Sequence, residues 1–168
     1  ALLAQKKSAY ETDIFSPLIE KIEQACGKKY QENKKQFRII SDHSRSASFL
    51  ISEGIRPSNL GQGYILRRIL RRAIRYGKLL DLKPGFLCVL TDLVVEKYGE
   101  IYPELLLNKE NIKTVIIEEE KKFEKTLQSG LKKIQELLEL KSSQKLTSEE
   151  VFDLYQSYGF PIELTEEI

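Results

Sequence analysis

Apolar residues recur along most of this chain at three- and four-residue steps, the spacing that puts side chains on one face of a helix. Residues 10–25 place Ile14, Phe15, Leu18, Ile19 and Ile22 on one side, with Gly27 as a C-terminal stop. Residues 37–52 repeat the pattern with Phe37, Ile40, Ala47, Leu50 and Ile51, and Gly54 ends it. A third helix follows a loop and closes at Gly77. A fourth starts at Pro84 and carries Phe86, Leu87, Val89, Leu90, Val94 and Val95 as far as Tyr98 and Gly99. Asn108 is placed to N-cap a long helix over 109–140, with Ile112, Val115, Ile116, Phe123, Leu127, Leu131, Ile134 and Leu138 as its seam. That seam is interrupted at 118–122, and Gly130 is a candidate bend. After a linker at 141–145, Thr147 and Glu150 form a capping box for a helix running to Tyr158. Gly159 stops that helix, Pro161 blocks its resumption, and Thr165 opens another. No stretch alternates as a strand does. The pattern predicts an all-α, multihelical protein with two helical lobes, 1–102 and 103–168, the second containing the long helix.

The third helix carries the unusual chemistry. Residues 57–63, Pro-Ser-Asn-Leu-Gly-Gln-Gly, read as a loop. Beyond them Ile65, Leu66, Ile69, Leu70, Ala73 and Ile74 make an apolar face. At about 100° per residue, Arg67, Arg71, Arg75, Arg68 and Arg72 fall within one arc of roughly 140° opposite it, and Tyr64 lands inside that arc. Most arginine-rich faces are solvated surface paired with nearby carboxylates. Here no acid lies between Ile55 and Leu80, so any partner is distant in sequence. Five like charges repel one another, and the planar guanidinium suits phosphate, so a polyanion is the expected ligand.

Charge distribution sharpens this. Between Ile55 and Lys83 eight lysines and arginines face one acid, Asp81, so a stretch of +7 sits in a chain of net +2. A basic patch on an acidic body favours a localised contact. With 168 residues, 41% of them hydrophobic, the chain can bury a real core. Cys26 and Cys88 stand far apart in helical contexts, which points to a reduced, cytoplasmic protein. One histidine and no Cys-x-x-Cys argue against zinc, and no apolar run is long enough for a signal or a membrane span. The opening Ala-Leu-Leu-Ala-Gln, helical in character and without a methionine, suggests an excised fragment.

No phosphate-binding loop, dinucleotide fingerprint or nucleophile elbow is present, so no catalytic residue is assigned. His43, in Ser-Asp-His-Ser-Arg, is more simply a packed histidine, and Asp42 and Arg45 are spaced to pair. Glu118 to Glu120 with Lys121 and Lys122 read as a solvated face. Asn59 is either a turn residue, as asparagine commonly is, or a reader of base edges, since an amide offers both a donor and an acceptor.

Three stretches carry a resemblance. They are Arg-Ile-Ile-Ser-Asp-His-Ser-Arg at 38–45, Pro-Ser-Asn-Leu-Gly-Gln-Gly-Tyr-Ile-Leu-Arg-Arg-Ile-Leu-Arg-Arg-Ala at 57–73, and Leu-Tyr-Gln-Ser-Tyr-Gly-Phe-Pro-Ile-Glu-Leu-Thr at 154–165. Together with Tyr-Glu-Thr-Asp-Ile-Phe at 10–15, they resemble alanyl-tRNA synthetases in the same order. The resemblance implies the helical tRNA-recognition region between a class II catalytic domain and an editing domain, the other partners in the full-length chain. ATP and magnesium would then belong to the catalytic domain and zinc to the editing domain, with no cofactor in this segment. It implies a tRNA acceptor stem as ligand, identified by a G·U wobble pair. Asn59 matches the asparagine that reads the pair, and Gln156 stands where the family has a second reader, an aspartate. Glutamine can still accept through its carbonyl but adds a donor and loses the charge. Tyr64 and the five arginines are the expected contacts around that pair. Two rival readings remain: a helical protein–protein module, and a structural connector whose basic face meets another domain.

Overall fold

The structure, a computed structural model, describes residues 5–139, 145–158, 160 and 162–165. A 3-10 turn, Ala9–Glu11, precedes α1 (Ser16–Cys26), α2 (Lys34–Ser52), α3 (Gly61–Leu79), α4 (Phe86–Tyr98), α5 (Pro103–Leu107), α6 (Lys109–Glu139), α7 (Ser148–Tyr158) and α8 (Ile162–Thr165). Among the described residues there is no strand, so the protein is all-α and multihelical. It divides into two compact units, Ala1–Glu120 and Lys121–Ile168, and α6 contributes to both.

In the first unit α2 is the central helix and touches α1, α3, α4 and α5. Phe37, Ile40, Ala47 and Ile51 are fully buried along it. So are Ser41, Ser44 and Ser48, which the apolar periodicity did not flag. Their small side chains let neighbouring helices come close: the Ser48 hydroxyl donates back to Ser44 O and lies 3.3 Å from Thr91 Oγ1 on α4. Leu66, Leu70, Ala73, Leu90, Val94, Ile112 and Ile116 complete this core.

Several boundaries differ from the sequence expectation, each for a local reason. The expected helix over 10–25 begins only at Ser16, because Pro17 has no N–H and is accommodated in the first turn of α1. The third helix does not stop at Gly77. It runs to Leu79, with Gly77 buried beside Leu82, and ends where Asp81 turns left-handed at φ 60°. Lys28 Nζ secures that end, donating to Leu79 O at 3.1 Å and Asp81 Oδ2 at 2.8 Å. The fourth helix opens at Phe86, two residues after Pro84. The Asn108 side chain donates through Nδ2 to Ser52 O and Glu104 O, tying α5 to the end of α2, while its backbone carbonyl accepts from Ile112 N at 2.9 Å at the start of α6.

Asp92 on α4 receives Lys109 Nζ at 2.8 Å and Lys113 Nζ at 2.6 Å from α6. Partial burial pushes its carboxyl up, but the two lysine hydrogen bonds outweigh this and hold it below the ordinary value. The same hydrogen bond raises Lys113. A depressed carboxylate contributes stability above its unfolded pKa, about 3.9, and loses it as pH falls through the folded value. Asp92→Asn should therefore lower stability near neutral pH, and the gap from the parent should close as pH falls through the depressed folded-state value. Because the carboxylate is 40% exposed, the gap should stay under about 1 kcal/mol. Acid titrations of the denaturation midpoint for both proteins check this; a gap that persists in acid would locate the effect elsewhere.

In the second unit Ile134, Leu154 and Phe160 are buried together, with Leu127, Leu138 and Leu146 packed against them. Gly130 sits here for a close approach: a Cβ would lie 2.8 Å from Phe160 Cγ and 2.9 Å from its Cε2. The glycine thus makes room for a ring, where the sequence suggested a bend. Leu131, expected in the seam, is 49% exposed. The capping box forms as expected, Thr147 N donating to Glu150 Oε2 and Glu150 N to Thr147 Oγ1. Helix α8 already begins at Ile162, ahead of the expected start at Thr165. Of the expected linker at 141–145, residues 141–144 lie outside the described residues, as do the expected stop at Gly159 and Pro161.

Candidate nucleic-acid interface

The loop over 55–60 folds back onto the first turn of α3. Ser58 N donates to Gly63 O at 3.0 Å, and the Ser58 hydroxyl bonds both polar groups of the Leu60 backbone. Gly63 permits this: a Cβ there would collide with the Ser58 side chain and the Arg56 carbonyl. The loop is thus shaped by backbone bonds to the helix it precedes, and Asn59 is held at its exposed tip.

The Asn59 Oδ1 accepts a hydrogen bond from Arg67 Nη1, one turn and a half further along. Arg67 Nη2 also donates to Pro57 O at 3.4 Å. On its other side Arg67 Nε lies 3.5 Å from Glu119 Oε1, to which Arg71 Nε donates at 2.7 Å. Glu119 is buried, its side chain 2% exposed. One carboxylate on α6 therefore anchors two arginines of α3, and one of these holds Asn59.

The arginine arc is consequently divided. Arg67 and Arg71, at one edge, turn inward onto Glu119. Arg75 is buried, its guanidinium 5.6 Å from the Tyr76 ring centroid. Arg68 and Arg72, at the other edge, are exposed, as are Tyr64 and Ile65. Ile65 at 57% exposure departs from the buried face expected of it. Gln156 is exposed on α7 in the second unit, two residues beyond the buried Leu154.

Glu119 is the residue that the sequence reading missed. Glu118, Glu119 and Glu120 looked like a solvated run. Instead Glu119 is 1% exposed, and Glu120 Oε2 accepts from Gly85 N at 2.8 Å. The signal was present in the spacing: 112, 116, 119 and 123 are successive core positions, and the seam is continuous if a carboxylate is allowed at 119. Asp42 and Arg45 interact at longer range only: Arg45 helps to lower the Asp42 carboxyl, but each makes its closer contacts elsewhere. Asp42 Oδ2 lies 3.2 Å from His43 Nδ1, a hydrogen bond that leads the lowering of the Asp42 carboxyl. Arg45 instead stands over the rings of Phe15, Phe49 and Tyr98 at 5.9, 5.5 and 5.4 Å. Burial pushes the Cys88 thiol up to about 11. Among the described residues no group of three or more His, Cys, Asp and Glu is placed to hold a metal, and no helix is long and apolar enough to cross a membrane.

The first unit thus displays an exposed amide loop beside an arginine-bearing helix. The family model for tRNA synthetases class II (A) matches residues 1–168, and the chain belongs to that family. Among curated relatives it is similar to the alanine–tRNA ligase of Thermotoga maritima, 45% identical over 171 residues, covering 100% of this chain and 20% of the relative. It is also 47% identical over 164 residues to the alanine–tRNA ligase of Elusimicrobium minutum, covering 96% of this chain and 19% of that protein. The enzyme of the same name from Fusobacterium nucleatum is 42% identical over 174 residues. The chain spans about a fifth of the length of these relatives.

Proposed function

We propose that this chain is the tRNA-gripping segment of an alanine–tRNA ligase, and that it reads the G·U pair of an acceptor stem through Asn59. One observation carries the reading: an exposed amide held at a loop tip, beside a helix whose outer edge presents Arg68 and Arg72. In an A-form stem the base edges are accessible in the shallow minor groove, between rows of phosphates and 2′-hydroxyls. A G·U pair leaves the guanine amino group less engaged there, a donor that an amide oxygen can accept. Arginines beside the amide would meet phosphate and set register, while the amide reads. Tyr64 would lie against the backbone at the same edge. Gln156 is the second reader in this proposal, in the place of the family's aspartate. Aminoacylation, with ATP and magnesium, and editing, with zinc, would belong to other parts of the longer protein.

Hairpin RNAs that differ only in a G·U or G·C pair at the recognised position test this directly. Binding should weaken with salt, as phosphate contacts require, and the G·U stem should bind more tightly. Asn59→Ala should reduce that preference by roughly 1–3 kcal/mol while leaving the fold intact. Gln156→Ala should reduce it less. Equal weakening on both stems would make Asn59 a turn residue only. Binding without salt dependence would favour the protein-module or connector readings.

A further inference from the structure

The arc of five arginines invites a uniform assignment to phosphate, but the contacts of Arg67 differ in kind from those of an outward-facing phosphate ligand. Its guanidinium donates to two protein oxygens, Asn59 Oδ1 and Pro57 O, and its Nε pairs in charge with the Glu119 carboxylate at 3.5 Å without a hydrogen bond. Its side chain is 23% exposed, against 2% for Glu119. We infer that Arg67 is a positioning residue for Asn59: anchored by the buried carboxylate of Glu119, it fixes which end of the Asn59 amide faces the ligand.

The orientation follows from chemistry. A guanidinium has donors only, so the atom of Asn59 that meets Arg67 is its oxygen, and the amide nitrogen points away. An amide oxygen has two lone pairs. Arg67 occupies one and leaves the second for a donor on the ligand, beside an outward Nδ2–H that meets an acceptor. The amide is therefore presented as an adjacent acceptor and donor, the pattern a base edge with one amino group and one neighbouring acceptor completes. Without Arg67 the amide could rotate by half a turn and offer the reverse order. Pro57 O, gripped by the same guanidinium, holds the loop that carries Asn59. Glu119 matters because Arg67 would otherwise repel Arg71 one turn away; the shared carboxylate keeps both in place. The proposal rests on the stem-reading function above for its effect on RNA, but not for the contact itself.

Arg67→Lys separates the roles, because it keeps the charge and removes the fork. A phosphate contact would be largely preserved by lysine, whereas one ammonium cannot hold Asn59 Oδ1, Pro57 O and Glu119 together. With the G·U and G·C hairpins, Arg67→Lys should lower the G·U preference by about fivefold or more, with an unchanged salt slope. In the Asn59→Ala background the same substitution should cost no further preference, since it acts through that amide. Preference retained in Arg67→Lys, or lost equally with and without Asn59, would overturn the assignment.

A second measurement needs no RNA. In nitrogen-15 spectra of the free chain, the Asn59 side-chain amide signals should move in Arg67→Lys, and by less in Glu119→Gln, with melting temperatures confirming that both variants are folded. Signals unmoved in folded variants would overturn the inference even if the parent discriminates between stems. A parent that fails to discriminate, with signals that do move, would overturn the reading function while leaving the positioning contact established.

Discussion

Glu119→Ala should lower the unfolding free energy by about 3 kcal/mol, the low end of the range for breaking a buried ion pair by removing one partner. The low end applies because the arginines left behind are only partly enclosed: the Arg67 and Arg71 side chains are 23% and 17% exposed, so water relieves some of the loss. The substitution also deletes the carboxylate that Arg67 and Arg71 share, and sets two guanidiniums one turn apart against each other. Denaturant titration should show a lower midpoint with an unchanged slope. Added salt should narrow the gap by screening the repulsion between the arginines. An unchanged midpoint would show that the arginines repair to other oxygens at no cost, and the role given to Glu119 would then fail.

The second large effect is expected in the other unit. Phe160 is fully buried, and its ring lies against Gly130, beside Ile134 and Leu154. Phe160→Ala should cost about 3–5 kcal/mol through lost transfer energy and the remaining cavity. Gly130→Ala approaches the same contact from the other side. The added methyl would overlap a ring that has no flexible end to withdraw, so a cost of about 1–3 kcal/mol is expected despite alanine's better helix propensity. Hydrogen exchange should report both losses in the amides of α7 and the C-terminal part of α6. If Gly130→Ala instead raised stability, helix propensity would outweigh the contact, and the ring would be free to move aside.

The helices were legible where a long apolar period met an unambiguous end. Phe37, Ile40, Ala47 and Ile51 are all fully buried on α2, because nothing local competes with a period that a 19-residue helix can satisfy. The capping box at Thr147 and Glu150 was legible for the same reason: its two partners lie three residues apart, so the bonds form without help from the rest of the fold. Boundaries were less legible where local signals pointed two ways. Gly77 looks like a stop, but the helix runs on to Leu79, and the Gly77 carbonyl accepts from Leu82 N at 3.0 Å as the chain turns away. Asn108 stands directly before α6 as its pattern indicates, but its Nδ2 bond to Ser52 O, 56 residues away in sequence, was not legible.

For the candidate site, the sequence by itself determined that α3 is amphipathic, with five arginines opposite an aliphatic face and a glycine-rich loop before it. It also determined the family, since those motifs stand in one order along one chain. Helical period suffices for this, because which residues share a face depends only on rise and turn. The tertiary structure decided which arginines meet a buried carboxylate. Glu119 lies 48 residues beyond Arg71, and no local rule brings a carboxylate from α6 under α3. Only packing does so, by burying Leu66, Leu70, Ile112 and Ile116 in one core. Once that core forms, the charge at 119 is withdrawn from water and its neutralisation becomes obligatory. That requirement turns Arg67 and Arg71 inward, leaves Arg68 and Arg72 outside, and sets the amide of Asn59.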